Sequence, residues 1–227
     1  MLLEKLVNFL DKNYHHKRII KFINNYKIDS IIDVGAHKGE FLHNCIPKIC
    51  FKNAYAFEPQ KDIFKILTKK FDKDPRIKNY NIALGDDNKK KIMNISKLTS
   101  TSSLQELNHN SLFLKIKNFL IGKENAKKNY YEVEINTIDN FFENKELSNV
   151  LLKIDVEGYE LNVLKGSNNT IKKIKLILIE NQFFNMYKNN RTRNWHDFLL
   201  KNEFKLVKKF RFPLMHFEDR IYINSFK

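Results

Sequence analysis

Two apolar runs that end abruptly in acids and glycines constrain this chain more than any other feature: IIDVGAHKGEF at residues 31–41 and LLKIDVEGYE at 151–160, with AFEP at 56–59 between them. In an open parallel sheet, ligands collect at the carboxyl ends of the strands, where the chain turns into the next helix. Three strands therefore bring Asp33, Gly35 and Gly39, then Glu58, then Asp155 and Glu157, to one edge of one sheet. Glycines let a ligand approach the backbone closely, and an acid on the following strand stands where ribose hydroxyls need an acceptor. The edge suits a nucleoside-containing cofactor.

Glycine spacing separates the cofactor classes. A dinucleotide fold carries G-x-G-x-x-G, whose second glycine admits a pyrophosphate. Here the loop reads G-A-H-K-G, and Ala36 and His37 fill that space. No G-x-x-x-x-G-K-[ST] loop occurs either. Glu58 follows Gly35 at about the 20-residue spacing of a ribose acid. A bidentate acid for the 2′- and 3′-oxygens and a glycine turn for an amino-acid moiety fit S-adenosylmethionine better than NAD. In the plainer alternative, Glu58 merely opens the helix 61–71, where acids favour the helix dipole.

Around these anchors the pattern predicts strands at 30–34, 53–57, 77–84, 150–154 and 174–180, with a helix over 61–71 that Asp74-Pro75 ends. Alternation at 90–95 and 130–136 predicts two antiparallel strands, and 204–210 with 220–224 a closing antiparallel pair behind a helix at 195–202. The lysine-rich stretch 105–128 is long for a plain loop and reads as a helix or a lid. Residues 2–26 place Leu3, Leu6, Val7, Leu10, Ile19, Ile20, Phe22 and Ile23 at helical spacing. They predict one or two amphipathic helices on the sheet edge or over the cofactor, a membrane-surface helix being the sharper alternative. The expected organisation is a helical extension over 1–28 and one α/β domain over 29–227, with an insertion at about 88–136.

DVGAHKGEF, FEP, NIALGD, STSSL, NTIDNF, LLKIDVEGYELNVLKG and ILIEN follow one another between Ile31 and Asn181. In that order they resemble the FkbM family of S-adenosylmethionine-dependent methyltransferases. The resemblance implies a class I methyltransferase-like (Rossmann-like) fold: a mostly parallel seven-stranded sheet with helices on both faces. It also implies O-methylation of a hydroxyl on a sugar, glycan or natural product. His37 and Lys38 stand where the family most often has Asn and a small apolar residue. Strand ends and matched motifs together give Asp33, Gly35, Ala36, His37, Gly39, Glu58, Pro59, Ala83 and Asp155 as cofactor contacts.

Methyl transfer to oxygen is an in-line displacement in which the acceptor must be positioned, deprotonated and shielded from water. Asp155 leads the candidates for base, because it ends an almost wholly apolar strand where partial desolvation makes a carboxylate a better proton acceptor. Glu157, in the turn before a helix, either acts directly or caps that helix. Lys153 reads equally as an electrostatic partner for Asp155 or as a solvated edge residue. Glu180 is a third catalytic candidate, Asn181 a candidate for substrate contact, and Ser102 and Ser103 candidates for contact with the substrate or with the methionine carboxylate of the cofactor. Asp155, Glu180 and Asn181 also compose an all-oxygen set that suits Mg²⁺, although no metal is expected. His37 is an alternative base, and Trp195 and His196 form either a sugar-binding floor or core.

Composition bounds the partners. The 227 residues carry 41 Lys and Arg against 26 Asp and Glu, a formal charge of +15. Such an excess fits a nucleic-acid partner or an anionic acceptor such as a nucleotide-sugar or phosphorylated glycan. Lysine is spread along the chain, and Lys, Asn and Ile are abundant together, which points to AT-rich coding as much as to a polyanion. A small-molecule or glycan acceptor is therefore preferred over RNA. Cys45 and Cys50 fit neither a metal pair nor a disulfide framework and read as buried thiols. With no signal peptide or membrane span legible, a cytoplasmic protein is expected.

Overall fold

The computed structural model describes residues 14–95, 102–105, 129–183, 192–213 and 217–225. The first described helix is α1, His16–Ile23, whose Ile19, Ile20 and Ile23 are buried as the helical spacing requires. Strand β1 (Ser30–Val34) leads through the glycine turn to α2 (Glu40–Cys45), and β2 (Asn53–Phe57) to α3 (Lys61–Phe71). On α3 the buried residues Ile63, Leu67 and Phe71 recur every four residues, while Lys69 and Lys70 occupy the last turn, where cations favour the dipole. Then come β3 (Ile77–Tyr80), β4 (Ala83–Leu84), β5 (Lys89–Ile95), β6 (Asn129–Asn136) and the short α4 (Ile138–Phe141). The chain closes through β7 (Val150–Ile154), α5 (Glu160–Lys165), β8 (Ile174–Gln182), α6 (Thr192–Lys201), β9 (Phe204–Arg211) and β10 (Phe217–Asn224).

Seven strands form one sheet in the order β3-β2-β1-β7-β8-β10-β9. The first five are parallel to their neighbours, and β10 runs antiparallel to both β8 and β9. Every residue of β1 and β7 is buried, which is why these two central strands read as unbroken runs. Side chains alternate into two cores. Ile31, Leu151, Leu176 and Leu178 join α1, α2 and α3 on one face. Ile32, Val34, Leu152, Ile154, Ile177 and Ile179 pack on the other, with Trp195 and Leu199 of α6.

Most predicted strands match within two residues; the last begins three residues early, at Phe217, and the third breaks in two. Instead of one strand over 77–84, the chain breaks at Asn81, whose side-chain amide donates to the carbonyls of Glu58 (2.8 Å) and Pro59 (3.0 Å). Beyond the break, Ala83–Leu84 leave the main sheet and pair in parallel with β6. With the antiparallel pair β5/β6 they form a second, three-stranded sheet. Cys45 is buried as expected but Cys50 is exposed. Trp195 is buried against Tyr222, and His196 Nδ1 lies 2.7 Å from the Tyr222 hydroxyl, so this pair belongs to the core. Among the described residues no helix is long and apolar enough to cross a membrane. The segment 2–13 and most of the lysine-rich stretch 105–128 lie outside the described residues.

Candidate active site

The turn after β1 is built by backbone contact. Gly35 has φ +78°, and a Cβ added there would stand 1.9 Å from the Asp155 carbonyl oxygen. Only glycine permits this approach of the β1 and β7 turns. The amides of Gly35 and Ala36 both donate to the Phe57 carbonyl, at 3.1 and 3.0 Å. Glu58 then fastens the loop: His37 N–H donates to its Oε2 at 2.9 Å and Gln60 N–H to its Oε1 at 2.8 Å. Burial pushes the Glu58 carboxyl up against the pull of these amides and of His37. Gly39 has another task. At φ +73° it starts α2, and its Cβ position is filled by Phe71 and Leu67 of α3.

A cavity of about 160 Å³ opens over these turns. Its wall takes in Gly35, Ala36, His37, Glu58, Pro59, Ala83, Asp155 and Glu157 from the predicted set, and Ser102. An apolar end is made by Ala83, Leu84, Met93 and Leu104. Ser102 donates to Gln60 Oε1 at 3.0 Å, while Ser103 sits behind the wall and bonds the Glu157 carbonyl. Asp33, Gly39, Ser103, Glu180 and Asn181 lie outside the wall.

Asp33 lies beneath it. Its side chain is wholly buried, and Lys153 Nζ stands 3.0 Å from Oδ1. The same ammonium is 3.4 Å from Asp155 Oδ2 and donates to the Gly35 carbonyl at 3.0 Å. Lys153 is thus neither solvated nor a partner of Asp155 alone: it ties the turns of β1 and β7 together through three oxygens. Burial pulls its ammonium down, but Asp33 and Asp155 outweigh that and hold it well above the usual range.

Asp155, Glu157 and Glu180 each present a carboxylate oxygen within 4.8 Å of the others. Gln182 Nε2 bridges Glu157 and Glu180. Glu157 is held at φ +53°, an uncommon conformation for a non-glycine residue and one found at functional turns. It does not cap α5, which has no side-chain cap; Glu160 instead accepts from the Gly158 amide just ahead of the helix, at 2.9 Å. Burial first, then the charges of Asp155, Glu157 and Asp219, push the Glu180 carboxyl well above its ordinary range. Asp155 is the more open acid, its side chain 38 % exposed, so the desolvated carboxylate expected at the end of β7 is found at Glu180. Asn181 corrects the all-oxygen set. It alternates to the opposite face of β8, with Ile177 and Ile179, so Glu157 is the third acid of the cluster.

Three residues on either side of the motifs complete the region and were not foreseen. His16 of α1 lines the cavity beside Glu40 and Phe41. His15 Nε2 lies 2.7 Å from Asp219 Oδ2, and Asp219 is the cross-strand partner of Glu180. The pair HH at 15–16 falls on a run read only for its apolar spacing, and Asp219 belongs to no motif.

These residues fit S-adenosylmethionine: a buried acid faces the cavity beside a glycine cradle, with an apolar end for a base and charged groups at the other. No curated protein matches the chain. Among solved structures, an FkbM methyltransferase from Methylobacillus flagellatus KT is 15 % identical, with a TM-score of 0.54 over 87 % of this chain. The chain spans only 44 % of that protein's length. M. capricolum TrmK in complex with S-adenosyl-homocysteine is also 15 % identical, with a TM-score of 0.52 over 95 % of this chain and 69 % of its own. A third, Streptococcus pneumoniae Sp1610, a putative tRNA (m1A22) methyltransferase in complex with S-adenosyl-L-methionine, is 9 % identical, with a TM-score of 0.51 over 91 % and 72 %. The methyltransferase FkbM domain model matches residues 33–206. The chain therefore belongs to the FkbM family of S-adenosylmethionine-dependent methyltransferases.

Proposed function

We propose that the protein methylates a hydroxyl oxygen of a sugar, glycan or related small molecule, with an anionic acceptor such as a nucleotide-sugar or phosphorylated glycan favoured by the +15 charge. The observation that carries this reading is the cluster of Asp155, Glu157 and Glu180 at the strand ends beside the cavity. A hydroxyl must give up its proton as it attacks, so it needs a base, whereas a ring nitrogen with a free lone pair does not. Bound S-adenosylmethionine supplies the methyl group. Asp155, the open acid on the cavity wall, accepts the hydroxyl proton, while Glu157 and Glu180 hold neighbouring acceptor oxygens and shield the site. Burial and the charges of Asp155 and Glu157 raise the proton affinity of Glu180. Glu58 accepts from the ribose hydroxyls, and the Gly35–His37 turn receives the amino-acid portion. We place the activity in the cytoplasm, in keeping with two free cysteines.

Incubation with methyl-labelled S-adenosylmethionine and separate pools of nucleotide-sugars, surface glycans and RNA tests the reading. Label should appear in a carbohydrate and fall by about 10²- to 10⁴-fold in Asp155→Asn, the usual cost of losing a general base. The charge and the tRNA methyltransferases of like fold favour RNA as the second reading. Label confined to RNA, lost as salt is raised, would replace the first with it.

A further inference from the structure

The end of the STSSL motif lies along the outer edge of the second sheet. Ser103 and Asn94 of β5 exchange both backbone hydrogen bonds, at 3.0 and 3.1 Å, as an isolated antiparallel bridge. In extended chain, successive side chains point to opposite sides, and they do so here. Ser102 and Leu104 line the cavity, whereas Ser103 turns the other way and donates to the Glu157 carbonyl. One short segment thus faces the cofactor cavity on one side and, on the other, the turn that carries an acid of the cluster.

That turn is not one a chain adopts unaided. Glu157 has φ +53° and Gly158 φ +98°, two left-handed residues in a row. Glycine enters that region freely, but a residue with a side chain is held there by its surroundings. In front, Gln182 Nε2 donates to the Glu157 carboxylate. Behind, Ser103 holds the Glu157 carbonyl. The Gln105 amide donates to the same Ser103 oxygen at 2.9 Å, which leaves the hydroxyl proton to that carbonyl. Ser103 is 3 % exposed, so the bond is made away from water. The carboxylate placed in this way has an oxygen within 4.8 Å of those of Asp155 and Glu180.

We propose that Ser103 is a positioning residue: its hydroxyl pins the left-handed turn and so keeps the Glu157 carboxylate in the acid cluster. Standing outside the cavity wall, it acts through Glu157. The proposal deepens the reading of that cluster as the acceptor site and rests on it.

Glu180 reports where the Glu157 carboxylate lies. Facing Glu180 are Asp155 at the end of β7 with Lys153 beside it, Glu157 and Gln182, and Asp219 of β10 with His15 beyond. The charge of Glu157 is among those that raise the proton affinity of Glu180, so a Glu157 carboxylate that swings away lowers it. Carbon-13 NMR of labelled glutamate carboxyls reads that affinity as a titration midpoint and needs no acceptor. The protein is bound to S-adenosylhomocysteine, and the Glu180 signal is assigned by its loss in Glu180→Gln. Ser103→Ala and Ser103→Val should lower the midpoint by about 1 pH unit or more. Ser103→Thr, which has the shape of Ser103→Val but keeps the hydroxyl, should restore the parent's value. In a Glu157→Gln background, Ser103→Ala should leave the midpoint unmoved. S-adenosylhomocysteine affinity should stay within about 3-fold in every Ser103 variant, as for sites that share no contact. If Ser103→Val does not fold, Ser103→Ala against Ser103→Thr decides.

An unmoved midpoint in Ser103→Ala, the same shift in the Glu157→Gln background, or a shift that Ser103→Thr shares overturns the proposal. So does a larger loss of S-adenosylhomocysteine, which would make Ser103 a support of the cavity wall. Label found only in RNA would overturn the hydroxyl reading and leave this test standing. A parent whose Glu180 titrates in the ordinary carboxylate range would sink the cluster, and the proposal with it.

Discussion

Replacing Lys153 by Met removes the cation that holds the turns of β1 and β7 and leaves Asp33 buried with no opposite charge. The pair is close, at 3.0 Å, and Asp33 is wholly buried. Breaking such a pair from one side costs about 3–5 kcal/mol. The protein has one escape, which is to bind a proton at Asp33. From an ordinary pKa near 3.9, at about 1.36 kcal/mol per unit, that costs about 4 kcal/mol at pH 7 and about 1.5 kcal/mol at pH 5. The charge penalty is therefore capped at those values. Without Lys153 the folded-state pKa of Asp33 lies far above the unfolded one, so the penalty is full above the folded value and fades as pH falls. Urea unfolding should show Lys153→Met about 3–4 kcal/mol less stable than the parent at pH 7 and about 1.5 kcal/mol less stable at pH 5. For a chain of this size the pH 7 loss corresponds to about 6–16 °C in Tm. Asp33→Asn in the same chain should recover most of it. A deficit that is the same at both pH values, or a double variant no better than the single, would refute the role given to this pair.

Glu58→Ala should weaken S-adenosylhomocysteine and methylthioadenosine alike by about 1.5–3 kcal/mol, as read by calorimetry; unchanged affinity would remove Glu58 from the ribose. Gly35→Ala should destabilise by about 2 kcal/mol or more, since it sets a Cβ against the Asp155 carbonyl at a positive φ, and a melting curve like the parent's would contradict that packing. His16 stays neutral when folded down to about pH 3 but takes a proton near 6.5 when unfolded, so stability is lost as pH falls. Relative to His16→Gln, the parent should lose about 2 kcal/mol between pH 8 and pH 5, and a flat difference would show the ring to be solvated. Exhaustive EDTA treatment should leave activity intact, because a divalent cation beside a sulfonium is unfavourable unless acceptor oxygens complete its shell; loss restored by Mg²⁺ would reverse this.

The central strands and the cofactor turn were legible because burial on both faces leaves few polar residues to blur the pattern. Lys153 and Asp33 were the charged exceptions within these strands, and a charge there needs a partner; the sequence alone could not show that the two strands lie side by side and pair them. The break at Asn81 was not legible, since a side-chain amide reaching the Glu58 and Pro59 carbonyls leaves no periodic trace. Asn181 was read as the neighbour of Glu180 in sequence, and period-two geometry separates them in space. His15, His16 and Asp219 escaped because their meaning depends on contacts spanning nearly the whole chain.

The placement of β10 has a consequence for how the enzyme comes into being. It follows β9 in the chain, yet it inserts between β8 and β9, and its Asp219 engages His15, 204 residues earlier. Pairing so distant in sequence is slow to form, because the loop entropy is spent before the contact rewards it. While residues 217–224 are still being synthesised, β8 has an open edge and Glu180 lacks its neighbouring strand. A chain nicked between β9 and β10 would expose the apolar edge of β8.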